Sequence, residues 1–477
     1  MNTVLNLRKM LDNKEVSSVE LTQKYLDKSE KLSSLGAYNT ICHESALKAA
    51  QLADEKISKG EAKSLTGIPF AIKDNICTKD ILTTCSSKML GDYRPPYNAT
   101  VMDKLNAEGI VLLGKTSMDE FAMGGSSQTS ALAKPKNPFN TSCVPGGSSG
   151  GSATAVAGGL CAAALGSDTG GSIRQPAAFC GITGMKPTYG TVSRFGLVAF
   201  GSSLDQIGPM ANSAHDCGII LNSIAGPDAH DRTTRHHSID FTSLIGHSIK
   251  GMKIGIPTEF FGDGIDEEIK SAVMNVAKFY EENGAELIEV SMPTIKYAVS
   301  AYYLLACAEA SSNLSRYDGV KYGYRTNSPE TYEELIKKSR SEGFGTEVKR
   351  RILLGTYALS SGYYDAYYKK ALAVRQKCRA EHDEIFKKCD VILTPTTPTV
   401  AYKCGENIDD PVKMYLADIC TVTANIAGIP AISVPCGTNS TGMPIGFSLS
   451  GNRFDDAKLV QLADLFEQAN PHPVANI

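Results

Sequence analysis

The sequence has no excess of basic charge, because 48 Lys and Arg residues are matched by 51 Asp and Glu residues over 477 positions. Domains that grip a nucleic-acid backbone usually carry a surplus of Lys and Arg, so a chain that binds nucleic acid on its own is disfavoured. The 13 Cys residues include no C-x-x-C pair, and His occurs only 8 times. These counts argue against a zinc ribbon and a disulfide framework, and they favour reduced thiols in the cytosol.

Long apolar runs are also missing. The N-terminal residues lack the apolar core of a signal peptide, and no stretch of about 18 residues is free of charged side chains and apolar throughout. Hydrophobic residues make up 42% of the chain and charged residues 21%, which is typical of a globular protein. We therefore expect no membrane span and a cytoplasmic enzyme.

Predicted strands and helices alternate from one end of the chain to the other, which indicates the α/β class. Strands are predicted near 67–72, 109–114, 160–165, 253–257, 286–290, 391–393, 431–435 and 445–449, and helices near 17–32, 44–57, 153–157, 266–283, 363–386 and the C-terminus. No repeat or linker divides the chain, so we predict a single domain over 1–477. The polar stretch 230–248 is the weakest candidate for a boundary.

One stretch, from Gly109 to Thr116, matches the G-x-x-x-x-G-K-[ST] pattern of a nucleotide-binding loop. Such a loop needs small, flexible residues between its glycines, so that backbone N–H groups can surround phosphates. Here the spacer is Ile-Val-Leu-Leu, which favours a buried strand. We therefore predict a strand and no nucleotide site.

Glycine is concentrated in one region, since residues 121–210 hold 17 of the 43 glycines. Two Gly/Ser loops, 146–152 and 166–172, are separated by small apolar residues that predict a packed helix and a strand. Tight turns that cap regular elements would explain such loops. A hydroxyl nucleophile on a Gly-rich turn, with N–H groups facing a developing oxyanion, would explain them equally well.

A serine nucleophile needs a base. None of the 8 His residues lies in or near the Gly/Ser loops, which argues against a Ser-His-Asp triad. A Lys can serve instead when burial lowers its pKa until the amine is neutral near the working pH. Lys73 ends the apolar run that begins at Gly67 and is the natural candidate, although most Lys side chains simply reach solvent.

Three motifs together resemble the amidase signature family. They are Lys73 in Gly-Ile-Pro-Phe-Ala-Ile-Lys-Asp-Asn, Ser148 in Gly-Gly-Ser-Ser-Gly-Gly-Ser, and Ser172 in Gly-Ser-Asp-Thr-Gly-Gly-Ser-Ile-Arg-Gln-Pro-Ala. The resemblance covers essentially the whole chain, with a signature core at 67–210. It implies a large mixed central sheet covered by helices on both faces.

The resemblance also implies a division of roles. Ser172 is the nucleophile, Ser148 the hydroxyl that relays its proton, and Lys73 the base. The backbone N–H groups expected to hold the oxyanion belong to Thr169, Gly170 and Gly171.

Further residues are expected to support this triad. In similar enzymes the relay serine follows a cis peptide bond, which here joins Gly147 to Ser148. Asp168 and Arg174 flank the nucleophile loop and are expected to hold it in place.

Substrate recognition is also implied by the resemblance. It implies that Arg351 makes a bidentate contact with a carboxylate and that Asp418 binds an α-ammonium group. Tyr302 is a further pocket residue. Arg350 beside Arg351 and Tyr303 beside Tyr302 leave both assignments open by one position.

Within the family, the chain is similar to glutaminase subunits of tRNA-dependent amidotransferases, on the segments 117–125, 309–319, 343–351 and 363–368. This implies hydrolysis of glutamine through an acyl-enzyme, with the ammonia converting Glu-tRNA(Gln), Asp-tRNA(Asn) or both. No metal or cofactor is expected in this chain. The resemblance implies a heterotrimer with the B and C subunits of such amidotransferases, in which the B subunit would use ATP and Mg²⁺ and contact the tRNA.

Two other functions stay open at this point. One is a stand-alone amidase that acts on small aliphatic or aryl amides. The other is a non-catalytic scaffold protein whose Gly/Ser loops serve only packing.

Overall fold

The computed structural model describes residues 3–235, 239–406 and 411–477. Over these residues the strands are β1 (Tyr38–Ile41), β2 (Pro69–Lys73), β3 (Val111–Thr116), β4 (Ala163–Asp168), β5 (Thr183–Lys186), β6 (Gln206–Ala211), β7 (Lys253–Pro257), β8 (Glu286–Val290), β9 (Val391–Pro395), β10 (Ala431–Thr438) and β11 (Pro444–Gly451).

The α-helices of the same residues fill most of the intervals between strands. They are α1 (Val4–Asp12), α2 (Ser18–Lys31), α3 (His43–Ser58), α4 (Thr100–Glu108), α5 (Gly150–Ala157), α6 (Arg174–Phe179), α7 (Ala214–Ile224), α8 (Glu267–Glu282), α9 (Ile295–Asn313), α10 (Tyr332–Gly343), α11 (Thr346–Leu359), α12 (Lys369–Ile385), α13 (Pro411–Leu416), α14 (Val422–Ala427) and α15 (Asp456–Ala469).

The strands form one sheet in the order β1-β3-β2-β4-β6-β5-β10-β11-β9-β7-β8. β3, β2 and β4 run parallel to one another, as do β9, β7 and β8. The pairs between β4 and β9 through the centre of the sheet are antiparallel. The predicted α/β fold with a large mixed sheet is confirmed.

The centre of the sheet is buried on both faces. Every residue of β2, β4, β5, β6 and β9 is buried, which requires packed side chains or backbone above and below each strand. Small residues allow this close packing on β4, where Ala163 and Ala164 let α5 lie directly against the strand. Over the described residues, no helix combines the length and the apolar character that crossing a membrane would require.

The parallel strands position the site. Because β3, β2 and β4 run in the same direction, their last residues, Thr116, Lys73 and Asp168, lie at one edge of the sheet. The segments that follow these strands therefore meet there. Loops beyond the carboxyl ends of parallel strands commonly form ligand sites in α/β proteins.

Several boundaries differ from the sequence-based expectation. β3 and β4 begin two to three residues later than predicted, because Gly109 ends α4 in a left-handed conformation and residues 158–162 form a turn. The helix predicted from 363 begins as a π-helical segment at Tyr364–Tyr368 before α12. β5 and β6 were not predicted. Within 230–248, residues 236–238 lie outside the described residues, and the remainder is turn and loop.

The packing of β4 generates a stability prediction. Leu165 is fully buried between β2 and β6, so Leu165→Ala should leave a cavity and lower the free energy of unfolding by about 2–5 kcal/mol. Leu353→Ala, at a position where 70% of the side chain is exposed, is the matched control and should change it by less than about 0.5 kcal/mol. Urea denaturation measures both, and equal effects would contradict the buried position of β4.

Candidate active site

Lys73 is the last residue of β2, and its side chain is fully buried. Its Nζ donates hydrogen bonds to Ser148 Oγ at 2.7 Å, to Ser149 Oγ at 2.8 Å and to the Ser167 carbonyl at 3.2 Å. These acceptors fix the amine against the first Gly/Ser loop and the end of β4. The structure therefore brings Lys73 into direct contact with Ser148.

The electrostatic surroundings adjust the basicity of Lys73. Burial lowers the pKa of the amine, while the carboxylates of Asp119, Asp168 and Asp205 raise it, and the balance leaves the pKa at about 7. At neutral pH a large fraction of the amine is thus unprotonated. A lysine in this state can accept a proton from a hydroxyl group and return it.

The peptide bond between Gly147 and Ser148 is cis, as predicted. The Gly147 N–H donates to Gln175 Oε1 at 2.9 Å, and the Asp119 N–H donates to the Ser148 carbonyl at 3.2 Å. A Cβ atom on Gly147 would lie 2.0 Å from Asp119 Oδ2, so only glycine fits beside this carboxylate. The loop thereby presents Ser148 to Lys73.

The second Gly/Ser loop lies directly beside the first. The Ser149 N–H donates to the Ser172 carbonyl at 3.1 Å, which brings Ser172 next to the residue that follows Ser148. Ser172 remains 9% exposed, so a substrate can reach it while its surroundings exclude most water.

Asp168 and Arg174 form a buried ion pair beneath the Ser172 loop. Arg174 Nε and Nη2 donate to the two carboxylate oxygens of Asp168 at 3.0 and 3.1 Å. The N–H groups of Gly171 and Ile173 donate to the same carboxylate at 2.8 and 3.2 Å. Burial opposes the charge on Asp168, but Arg174 outweighs it and lowers the pKa to about 2. The expected support of the loop by this pair is present.

The three residues predicted to hold the oxyanion are fixed in different ways. The Thr169 hydroxyl donates to Asp205 Oδ1 at 2.6 Å, and the Gly170 carbonyl accepts from Thr421 Oγ1 at 2.6 Å. The Gly171 N–H is already engaged by Asp168. Of the three residues, Gly171 therefore has its N–H engaged within the protein, and Thr169 and Gly170 stay the candidates to hold an oxyanion.

The two adjacent arginines, Arg350 and Arg351, lie in different surroundings. The Arg351 guanidinium is buried and donates from Nε to Glu347 Oε1 at 2.8 Å, whereas the Arg350 side chain is 37% exposed and contacts the other oxygen of Glu347. Among the described residues, no acceptor lies within hydrogen-bond distance of Arg351 Nη2, although this atom is buried. The free edge of the guanidinium can bind a carboxylate.

The two adjacent tyrosines occupy different places. The ring of Tyr302 covers Gly170, where a Cβ atom would lie 2.4 Å from its Cζ. The Tyr303 hydroxyl donates to Asp418 Oδ2 at 2.6 Å, and its ring centroid lies 5.1 Å from Arg351 Cζ. Burial raises the pKa of Asp418 to about 7. Tyr303 thus contacts Asp418 through its hydroxyl and Arg351 through its ring.

Several residues of the site were missed at the sequence level. Ser149 contacts Lys73 as closely as Ser148 does, and the tandem Ser-Ser was the available signal. Thr421 and Asn425 bind Arg174 and the Ser172 loop from α14 and the turn before it. No local pattern marks these two residues, because their partners lie some 250 positions away in the chain.

The chain belongs to the amidase family. The family profile described as Amidase matches residues 20–460. The large mixed sheet and the Lys73–Ser148 contact beside Ser172 are the fold and arrangement that the sequence motifs implied.

Similarity to individual proteins points to one group within the family. The chain is 56% identical over 469 residues to the A subunit of glutamyl-tRNA(Gln) amidotransferase from Caldanaerobacter subterraneus subsp. tengcongensis, covering 98% of this chain and 96% of that protein. It is similar to the crystal structure of the A subunit of glutamyl-tRNA(Gln) amidotransferase from Thermotoga maritima, with 42% identity and a TM-score of 0.76 over 91% of this chain and 96% of that one. A peptide amidase from Stenotrophomonas maltophilia shares 28% identity and a TM-score of 0.82 over 100% and 99% of the two chains.

The environment of Lys73 predicts a pH-dependent reactivity of Ser172. A fluorophosphonate probe, which modifies activated serines, should label Ser172 at a rate that rises with pH around a midpoint of about 7, as Lys73 loses its proton. Asp119→Asn should move this midpoint to lower pH, because Asp119 contributes the largest of the charges that favour protonated Lys73.

The control for this experiment is Asp365→Asn, because Asp365 is 79% exposed and far along the chain from these motifs. It should leave the midpoint unchanged. A midpoint that stays the same or rises in Asp119→Asn would show that this carboxylate does not set the basicity of Lys73.

Proposed function

We propose that this chain is the glutaminase component of a tRNA-dependent amidotransferase. One observation supports the chemistry above all others: a fully buried lysine with a pKa of about 7 contacts Ser148 beside the Ser172 loop. The names of the relatives supply the biological setting, since both the 56% and the 42% identical relatives are A subunits of glutamyl-tRNA(Gln) amidotransferases.

In the proposed reaction, Ser172 Oγ attacks the carboxamide carbon of glutamine. Its proton passes to Ser148 and on to neutral Lys73, and the N–H groups of Thr169 and Gly170 hold the oxyanion, each contributing about 3–4 kcal/mol of transition-state stabilisation. The proton returns to the departing nitrogen, so the C–N bond breaks and ammonia leaves. Water then hydrolyses the ester on Ser172, releasing glutamate and restoring the hydroxyl.

Recognition of the free amino acid favours glutamine over other amides. The Nη2 edge of Arg351, which meets no acceptor among the described residues, suits the α-carboxylate, and Asp418 suits the α-ammonium group. A stand-alone amidase for small uncharged amides would have no use for two buried charges at these positions. A stand-alone amidase stays the second candidate function, because a peptide amidase shares this fold with a TM-score of 0.82.

The ammonia would be consumed by a partner. We propose a cytoplasmic heterotrimer with the B and C subunits of the amidotransferase, in which the B subunit binds ATP, Mg²⁺ and the aminoacyl-tRNA whose carboxylate is amidated. The net charge of this chain, −3, agrees with a component that leaves the tRNA to its partner.

The deciding experiment uses Ser172→Ala in the complete complex. Amidation of Glu-tRNA(Gln) from glutamine should fall by about a thousandfold or more, because the nucleophile is missing. Amidation from ammonium chloride should persist at the parent rate, because the partner chemistry is intact. Conversion of tRNA-bound radiolabelled glutamate to glutamine measures both.

Other outcomes identify other functions. Amidation from glutamine that is unchanged in the Ser172→Ala complex would indicate a scaffold protein. Hydrolysis by the isolated chain of simple amides as fast as glutamine would indicate a stand-alone amidase.

Among the groups that ionise near neutrality, Lys73 and Asp418 are the two that the proposed reaction uses directly, and they predict the pH profile. Lys73 and Asp418 each have a pKa of about 7 and must both lose a proton, one to act as a base and the other to bind an ammonium group. The logarithm of kcat/KM for glutamine should therefore rise with a limiting slope of about 2 below pH 7. In Asp418→Asn the slope should fall to about 1. An unchanged slope would show that Asp418 does not bind the α-ammonium group of the substrate.

A further inference from the structure

The guanidinium of Arg351 packs against the rings of Phe200, Tyr303 and Tyr415, with Cζ 5.1 to 5.5 Å from their centroids, and is hydrogen-bonded to Glu347 along one edge. Its Nε donates to Glu347 Oε1 at 2.8 Å, and over the described part of the chain the buried Nη2 meets no acceptor. A buried donor without a partner is unfavourable, more so when it is charged. Whatever binds here must therefore bring an acceptor to the Nη2 edge, and the orientation of that edge depends on Glu347.

Glu347 is itself fixed by several donors. It is buried in the first turn of α11, four residues before Arg351, where the helix dipole favours a negative charge. Its Oε1 accepts from the Tyr415 hydroxyl at 3.0 Å as well as from Arg351, and Oε2 accepts from Arg350. A carboxylate held in this way sets the position of the guanidinium.

The same network extends to the second charged group. The rings of Tyr415 and Tyr303 stack with centroids 3.8 Å apart and an interplanar angle of 23°. The Tyr303 hydroxyl donates to Asp418 Oδ2 at 2.6 Å. Glu347 is thus connected to Asp418 through two stacked tyrosines, and the chain of contacts fixes the separation between Arg351 and Asp418.

We infer that Glu347 is a positioning residue for substrate selection. It turns the free Nη2 edge of Arg351 toward the α-carboxylate of the substrate, at a separation from Asp418 that Tyr415 and Tyr303 maintain. This inference rests on the proposed glutaminase function and names what makes that function selective for amides of free α-amino acids.

The test compares two substrates in the complete complex. Glu347→Gln keeps the size of the side chain but has a single acceptor oxygen, so it cannot accept from Arg351, Tyr415 and Arg350 at once. KM for glutamine should rise about tenfold while kcat changes by less than about twofold. For 4-aminobutanamide, which is glutamine without its α-carboxylate, KM should change by less than about twofold, because Tyr303 still holds Asp418.

A matched control variant and a double variant distinguish a positioning role of Glu347 from damage to the fold. Glu333→Gln, at a position exposed on α10, should give parent values with both substrates. If Glu347 acts through Arg351, adding Glu347→Gln to Arg351→Lys should change KM for glutamine by less than about twofold. Should Glu347→Gln fail to fold, Tyr415→Phe removes one donor to Glu347 and should raise KM for glutamine about threefold.

Each outcome decides the inference. An unchanged KM for glutamine in Glu347→Gln, or equal losses with glutamine and 4-aminobutanamide, would overturn the positioning role, as would full additivity with Arg351→Lys. A parent complex that does not hydrolyse glutamine would instead overturn the proposed function, before any variant is compared.

Discussion

The burial of Lys73 is the constraint on which the rest of the site depends. In water a lysine stays protonated far above neutral pH, and in an apolar interior without charges it would stay neutral. Here burial opposes the charge and Asp119, Asp168 and Asp205 favour it, which leaves the pKa at about 7. A base must both take a proton and return it, so neither extreme would serve. The parallel strands β3, β2 and β4 bring these groups together. Lys73 and Asp168 end two of the strands and Asp119 follows the third, so all three lie at one edge of the sheet.

The ion pair of Asp168 and Arg174 serves the geometry of the loop rather than the stability of the fold. A buried ion pair often contributes little net stability, because removing both charges from water is costly. In this site the pair instead organises its neighbours: Asp168 accepts from the N–H groups of Gly171 and Ile173, and Arg174 donates to the Thr421 carbonyl and to Asn425. It therefore joins the Ser172 loop to a segment from the last quarter of the chain.

The sequence predicts the parts of this architecture that local patterns encode. Apolar runs indicated β2, β3 and β4, and the Gly/Ser motifs located both loops. β5 and β6 were not predicted because they are short and contain Gly or Pro. They are also buried on both faces, which removes the alternation of apolar and polar residues that marks a half-exposed strand. Contacts such as Arg174 with Asn425, 251 residues apart, leave no trace in any local pattern. Arg351 and Asp418 came from the family resemblance alone, since an isolated Arg or Asp usually lies at the surface.

Under the proposed function, the residues expected for substrate recognition and those expected for catalysis adjoin one another at Gly170. Its carbonyl accepts from Thr421, and the ring of Tyr302 covers it, next to the Tyr303 that contacts Asp418. The residues proposed to bind the substrate are therefore linked by direct contacts to those that hold Gly170 in place. Glu347 differs, because over the described residues its side chain accepts hydrogen bonds from Arg351, Arg350 and Tyr415. Under the proposed function, the amino-acid end of the substrate would thus be held through contacts separate from those that hold Ser172.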